Sequence, residues 1–130
     1  MSKLLLIALL SIPVGAQELP EAPRPSRSFW TLAAVDLAAT AGDMATTVAL
    51  VGHTRGCPFE VGNPALYGSK PAAARTIAVM GAITSGAILT SYEMRRHNAH
   101  LWRLKLWALP MAYDAYGHTW GTINNLTVCR

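Results

Sequence analysis

The chain has 130 residues, of which 52% are hydrophobic and only 14% charged, and its formal net charge is +4. Soluble domains usually carry about a quarter charged residues, so this composition disfavours a solvated globule and points to lipid as the surroundings. One domain at most fits the length, and no long Lys/Arg run interleaves with aromatics, which excludes nucleic acid as the expected partner.

Residues 1–16 read as a signal peptide. Lys3 gives a short positive start, Leu4 to Leu10 an apolar stretch, and the small residues Val14 and Ala16 precede an export cleavage point before Gln17. Residues 17–28 hold Pro20, Pro23 and Pro25 together with Arg24 and Arg27, which makes them a Pro-rich tether with no core of its own. Ser28 is the expected cap of the first helix, followed by Phe29 and Trp30 as interfacial anchors.

Helix one is expected from Phe29 to Val51. It carries no charge except Asp36 and Asp43, seven residues apart. Seven residues is almost two turns, so both carboxylates share a face with Thr40 and Thr47. Acids inside a span of that length are costly, and they normally face a bundle interior. The many alanines of this helix let a neighbouring helix come close; an Ala-rich soluble helix is the plainer alternative.

His53 to Lys70 reads as a loop, broken by Gly56, Pro58, Gly62, Pro64 and Gly68, with Cys57, Glu60 and the turn-forming pair Asn63-Pro64 inside it. Helix two is expected from Pro71 to about Arg96, with Ala78 and Ala82 as a small-residue pair. On it Thr84 and Ser91 are placed to face the seam of helix one, unless they bond back to their own backbone. Helix three is expected from about His100 to Thr122, rich in Trp and Tyr and kinked at Pro110.

Asp36, Thr40, Asp43, Thr47, Glu60, Asn63, Asp114 and His118 form the expected polar seam. Asp114 and His118 stand at i, i+4 and are a candidate metal pair, while a structural network of satisfied acids explains the same residues without a ligand. Cys57 and Cys129 lack metal-ligand spacing and are a candidate disulfide, with two unrelated thiols as the alternative. Arg95, Arg96, Arg103 and Lys105 would hold the connection between helices two and three in the cytoplasm, whereas a cleaved signal peptide predicts the reverse orientation. No hydrolase elbow, zinc-protease, Walker or dinucleotide motif is present.

The order Asp43-x-x-Thr46-Thr47, then Glu60-x-x-Asn63-Pro64, resembles a family of small uncharacterised bacterial integral-membrane proteins. The resemblance covers roughly residues 34–94. It implies a helical membrane domain with no assigned activity and no catalytic residues to transfer; the Cys57/Cys129 pair and the signal peptide depart from it.

The expected fold is therefore all-α: a small bundle of about three helices, two of them transmembrane, after an N-terminal signal peptide. Residues 29–125 form the helical membrane domain and 126–130 a tail. The expected role is non-enzymatic, structural or interactive, in the bacterial cell membrane. No cofactor is expected; the partners are the lipid bilayer and either a second copy or another membrane protein docked through small-residue helix faces. Alternatives are an ion- or proton-handling membrane component, or a soluble periplasmic helical protein that binds metal.

Overall fold

A computed structural model describes residues 24–58, 60, 63–97 and 103–129. The expected signal peptide, most of the tether, and His100 lie outside the described residues. Those that are described form four α-helices and no strand: α1 (Arg27–Leu50), α2 (Pro64–Tyr67), α3 (Ala73–His97) and α4 (Leu109–Val128), with a 3-10 turn, Leu106–Ala108, leading into α4.

Local chemistry sets these boundaries. Ser26, not Ser28, caps α1: its backbone is extended and its Oγ accepts from Phe29 N at 3.4 Å. The helix ends at Leu50, with the extended Val51 as its cap just before Gly52, whose φ of 81° lies in the left-handed region. α2 lies where a continuous loop was expected. Asn63 precedes it and Pro64 opens it, because a proline that stops one helix is well suited to start another. Pro110 behaves in the same way. It sits in the first turn of α4, after a break at Lys105 with φ 56°, so no kinked helix runs through it. α4 continues to Val128, and the expected tail is largely helical.

The three long helices run up, down and up. α1 packs most extensively against α4 rather than against its sequence neighbour α3. Ala78 and Ala82 of α3 are exposed and take no part in this packing. The inward residues of α1 are Phe29, Ala33, Asp36, Thr40, Asp43 and Thr47, alternately four and three apart, which is the spacing of a coiled-coil seam. α3 presents Thr76, Met80, Thr84, Ser91 and Arg95, and α4 presents Met111, Ala115, His118 and Asn125.

The core is divided along its length. At the end where α1 begins, Phe29, Ala33, Trp107 and Met111 form an apolar cluster, with Ile88 and Tyr92 packed against it. Arg95 closes that end. Its Nη1 donates to Ser26 Oγ at 3.0 Å, its Nη2 to Arg24 O at 3.3 Å, and its guanidinium lies 5.5 Å from the Trp107 ring centre. From Asp36 onward the interior is polar. At the far end a disulfide joins Cys57 to Cys129 and ties the loop to the end of α4.

Outside, the order is reversed. Leu89, Leu109, Trp30 and Tyr113 are largely exposed, Tyr113 at 82%, while Asp36 is 0% exposed. Among the described residues one helix, α3, is long and apolar enough to cross a membrane. α1 carries Asp36, Asp43 and four threonines along its length, and α4 carries Asp114, His118 and two asparagines, whereas α3 keeps its charges, Arg75, Glu93, Arg95 and Arg96, towards its two ends.

Candidate functional site: a buried acid–histidine line

Asp43 stands where α1 and α4 touch. His118 reaches it from α4, with Nδ1 2.8 Å from Asp43 Oδ2. An ionised carboxylate only accepts, so Nδ1 carries the hydrogen of this bond. Thr47 Oγ1, one turn further along α1, donates to Asp43 Oδ1 at 3.2 Å. Asn125 Nδ2 approaches the same oxygen at 3.4 Å and also lies 2.9 Å from Thr47 Oγ1 and 3.2 Å from Thr46 Oγ1. Two amide hydrogens are thus shared among three oxygens, a compact network that fixes α1 against α4.

The line continues inward through the other face of the imidazole. His118 Nε2 lies 3.6 Å from Asp114 Oδ1, one turn earlier on α4. Asp114 in turn lies near Asp36, whose two buried oxygens meet no hydrogen-bond partner among the described residues. Beside them Thr40 Oγ1 donates to Asp36 O at 2.8 Å, which leaves Thr84 Oγ1 to donate to Thr40 Oγ1, also at 2.8 Å. Thr84 thus meets the seam of α1 as expected, while Ser91 is buried with an Oγ that meets no hydrogen-bond partner among the described residues. The series Asp43, His118, Asp114, Asp36 ends beneath the apolar cluster of Phe29, Trp107 and Met111.

At the disulfide end a cavity of about 640 Å³ reaches Asp43. Asp43, Thr47 and Asn125 line it on the bundle side, and Glu60, Asn63 and Tyr67 on the loop side. Glu60 and Asn63 thus lie at the cavity and not inside the seam. Glu60 Oε1 accepts from Asn63 N at 3.1 Å and Glu60 N donates to Ser69 O at 2.8 Å, so the Glu-x-x-Asn spacing shapes the loop. Arg75, a possible partner for the acids, instead donates to Leu66 O and Ala65 O. The Tyr67 phenol is pushed above its ordinary value, first by burial and then by the negative charges of Asp43, Glu60 and Asp114.

The candidate metal pair Asp114 and His118 does share a face of α4, but among the described residues no three His, Cys, Asp or Glu side chains are grouped to hold a metal ion. Asn125 is the functional residue that sequence reasoning missed. Its signal was present: His118 and Asn125 are seven apart on α4, as Asp36 and Asp43 are on α1.

Comparison with known proteins finds no matching family model, no matching curated protein and no matching solved structure.

Proposed function

We propose that this is a small helical protein of the bacterial cell membrane, non-enzymatic, whose buried acid–histidine line locks three helices in register. The observation that carries this is the inverted distribution of polarity. Asp36 and Thr84 are essentially inaccessible, while Leu89 and Tyr113 face outward at 62% and 82% exposure. Water rewards the opposite arrangement, whereas lipid drives ionisable groups to the bundle interior and tolerates an apolar exterior. α1 at 24 residues and α3 at 25 are roughly 36 Å long, which suffices for a hydrocarbon core of about 30 Å.

The disulfide end faces the exported side in this reading. A disulfide persists in an oxidising compartment. Arg24, Arg27, Arg95, Arg96, Arg103 and Lys105 belong to the opposite end, against Arg55, Lys70 and Arg75 at the disulfide end, an excess in the direction the positive-inside rule wants. Cleavage of an export signal at Gln17 would instead leave Arg24 outside, so N-terminal sequencing of the mature protein separates the two arrangements. The resemblance of the Asp43 and Glu60 motifs to small bacterial integral-membrane proteins agrees with this proposal. The outward alanines of α3, Ala78 and Ala82, offer a face to a second copy or another membrane protein.

The test is fractionation: the protein stays with membranes through carbonate extraction and needs detergent to remain dissolved. Release into the soluble periplasmic fraction would refute membrane residence.

A second reading, ion or proton handling, is favoured by one further observation. Asp43, His118 and Asp114 follow one another at 2.8 and 3.6 Å from the cavity inward, and Asp36 is buried further along the same interior. Asp36→Asn interrupts that series, and a proton flux into vesicles that is unchanged by it would remove this reading.

A further inference from the structure

We propose that the cavity beneath the Cys57–Cys129 disulfide binds a small organic cation, a protonated or quaternary amine. This goes beyond membrane residence and does not depend on it, since the cavity lies within the protein whatever surrounds the helices.

Four features of the cavity lead there. Its volume, about 640 Å³, falls in the range of small-molecule sites. Among the described residues the charged side chains lining it are the carboxylates of Asp43 and Glu60, with no Lys or Arg beside them. His118 stands behind Asp43 and is not part of the lining. The third feature is aromatic: Tyr67 and Trp120 contribute rings, and an aromatic face attracts a weakly hydrated cation. Finally, Val51, Met80 and Val128 add apolar surface suited to the carbon substituents of an amine.

Competing ligand classes fit less well. An anion meets two carboxylates. A neutral apolar molecule would strip water from those carboxylates and return nothing. A hard inorganic cation needs several oxygen donors to replace its hydration shell, and the described residues offer no such grouping of acids. An alkylammonium ion needs no cage, because its charge is spread over a weakly hydrated surface. The Tyr67 phenol, raised first by burial and then by the charges of Asp43 and Glu60, agrees with a negative field in this space.

The test uses the purified full chain in detergent micelles with tetramethylammonium and butylammonium as probes. Binding is read by saturation transfer to their methyl protons at constant ionic strength. The neutral isostere 3,3-dimethylbutan-1-ol and sodium chloride serve as competitors. The expected result is saturable binding of both cations, no binding of the alcohol and no displacement by sodium. Trp120→Leu should weaken binding about fivefold, the size of one cation–π contact, and Glu60→Gln by a similar factor. Both positions lie at the edge of the bundle, and an intact Cys57–Cys129 link in each variant confirms its fold. Asp43 is not used, because its substitution also loosens α1 from α4. Equal binding of the alcohol, displacement by sodium, absence of saturation, or unchanged affinity in both folded variants would each overturn the proposal. None of these outcomes bears on carbonate extraction, so this inference and membrane residence fail separately.

Discussion

Asp43 meets His118 only because Gly121, three residues further along α4, has no side chain. A Cβ on Gly121 would stand 2.6 Å from Asp43 Oδ1 and 2.7 Å from Oδ2, closer than non-bonded atoms tolerate. The carboxylate cannot simply swing aside, since it accepts from His118 and Thr47 and lies beside Asn125 Nδ2. Gly121→Ala should therefore cost about 1–3 kcal/mol, the usual size of an overpacking penalty. Gly42→Ala meets the Thr122 side chain, Oγ1 at 3.3 Å and Cγ2 at 3.8 Å, and should cost less. Denaturant titration of both variants in the same detergent checks the order; equal stability of Gly121→Ala and wild type would contradict the packing described.

The Asp43–His118 contact is buried on both sides, with 11% and 9% of the side chains exposed. Removing one partner of such a pair strands the other, which typically costs about 3–5 kcal/mol. Asp43→Asn and His118→Ala should each be strongly destabilising, and the double variant little worse than the more damaging single one. That non-additivity is the signature of direct coupling. Strictly additive effects in a double-mutant cycle would mean the two side chains act independently.

The α1 half of this site was legible in the sequence because polarity and period coincide there. Asp36, Thr40, Asp43 and Thr47 recur at steps of four and three in an otherwise apolar run, so one face was determined. What pattern could not supply was the neighbour. The first two long helices were expected to pack tightly on each other, whereas the close approach is made by Gly121 of α4 against α1. A small residue marks where a backbone can come near but not which backbone. Pro64 and Pro110 were read as breakers and act as helix starters, since a proline's local constraint is the same on either side of a boundary. Asn125 was assigned to the last position of the helical domain rather than to its centre because the end of α4 was placed near Thr122, one and a half turns early.

Arg95 does at one end of the bundle what Asp43 does in the middle. It is 7% exposed, touches the cap of α1 through Ser26 Oγ and Arg24 O, and lies against the Trp107 ring before α4. A lysine keeps the charge but loses the planar fork that makes both hydrogen bonds while facing an aromatic ring. Arg95→Lys should lower stability by about 1–2 kcal/mol, with increased amide exchange at Phe29 and Trp30. Wild-type exchange at these two residues would show that Arg95 does not hold the cap.

Tyr67 gives a pH dependence with a definite sign. Burial and the charges of Asp43, Glu60 and Asp114 raise its ionisation above the ordinary phenol value of about 10. The folded state favours the neutral phenol, so its contribution is fully present below the unfolded value and is lost as pH rises through the higher folded value. Alkaline spectrophotometric titration should show one late phenol that disappears in Tyr67→Phe. Glu60→Gln should move it part of the way back, because burial, the larger cause, remains. A late phenol that persists in Tyr67→Phe would assign the effect to another tyrosine.

The disulfide spans 72 residues of sequence and joins the cavity loop to the end of α4. Closing a loop of that length restricts the unfolded chain by an amount worth about 4 kcal/mol in the chain-entropy account. The far end of the bundle has its own supports in the Phe29–Trp107–Met111 cluster and in Arg95, none of which touches either cysteine. Cys57→Ser with Cys129→Ser should therefore lower global stability by about 2–4 kcal/mol and act unevenly in the native state. Hydrogen exchange should rise at residues 50–58 and 125–129, where Gly52 N bonds Cys57 O and Asn125 holds Thr47. Exchange near Phe29 and Met111 should stay as in the wild type. A uniform increase along all three long helices would mean that the two ends of the bundle are a single cooperative unit, and that the polar middle transmits the loss of the disulfide to the apolar cluster.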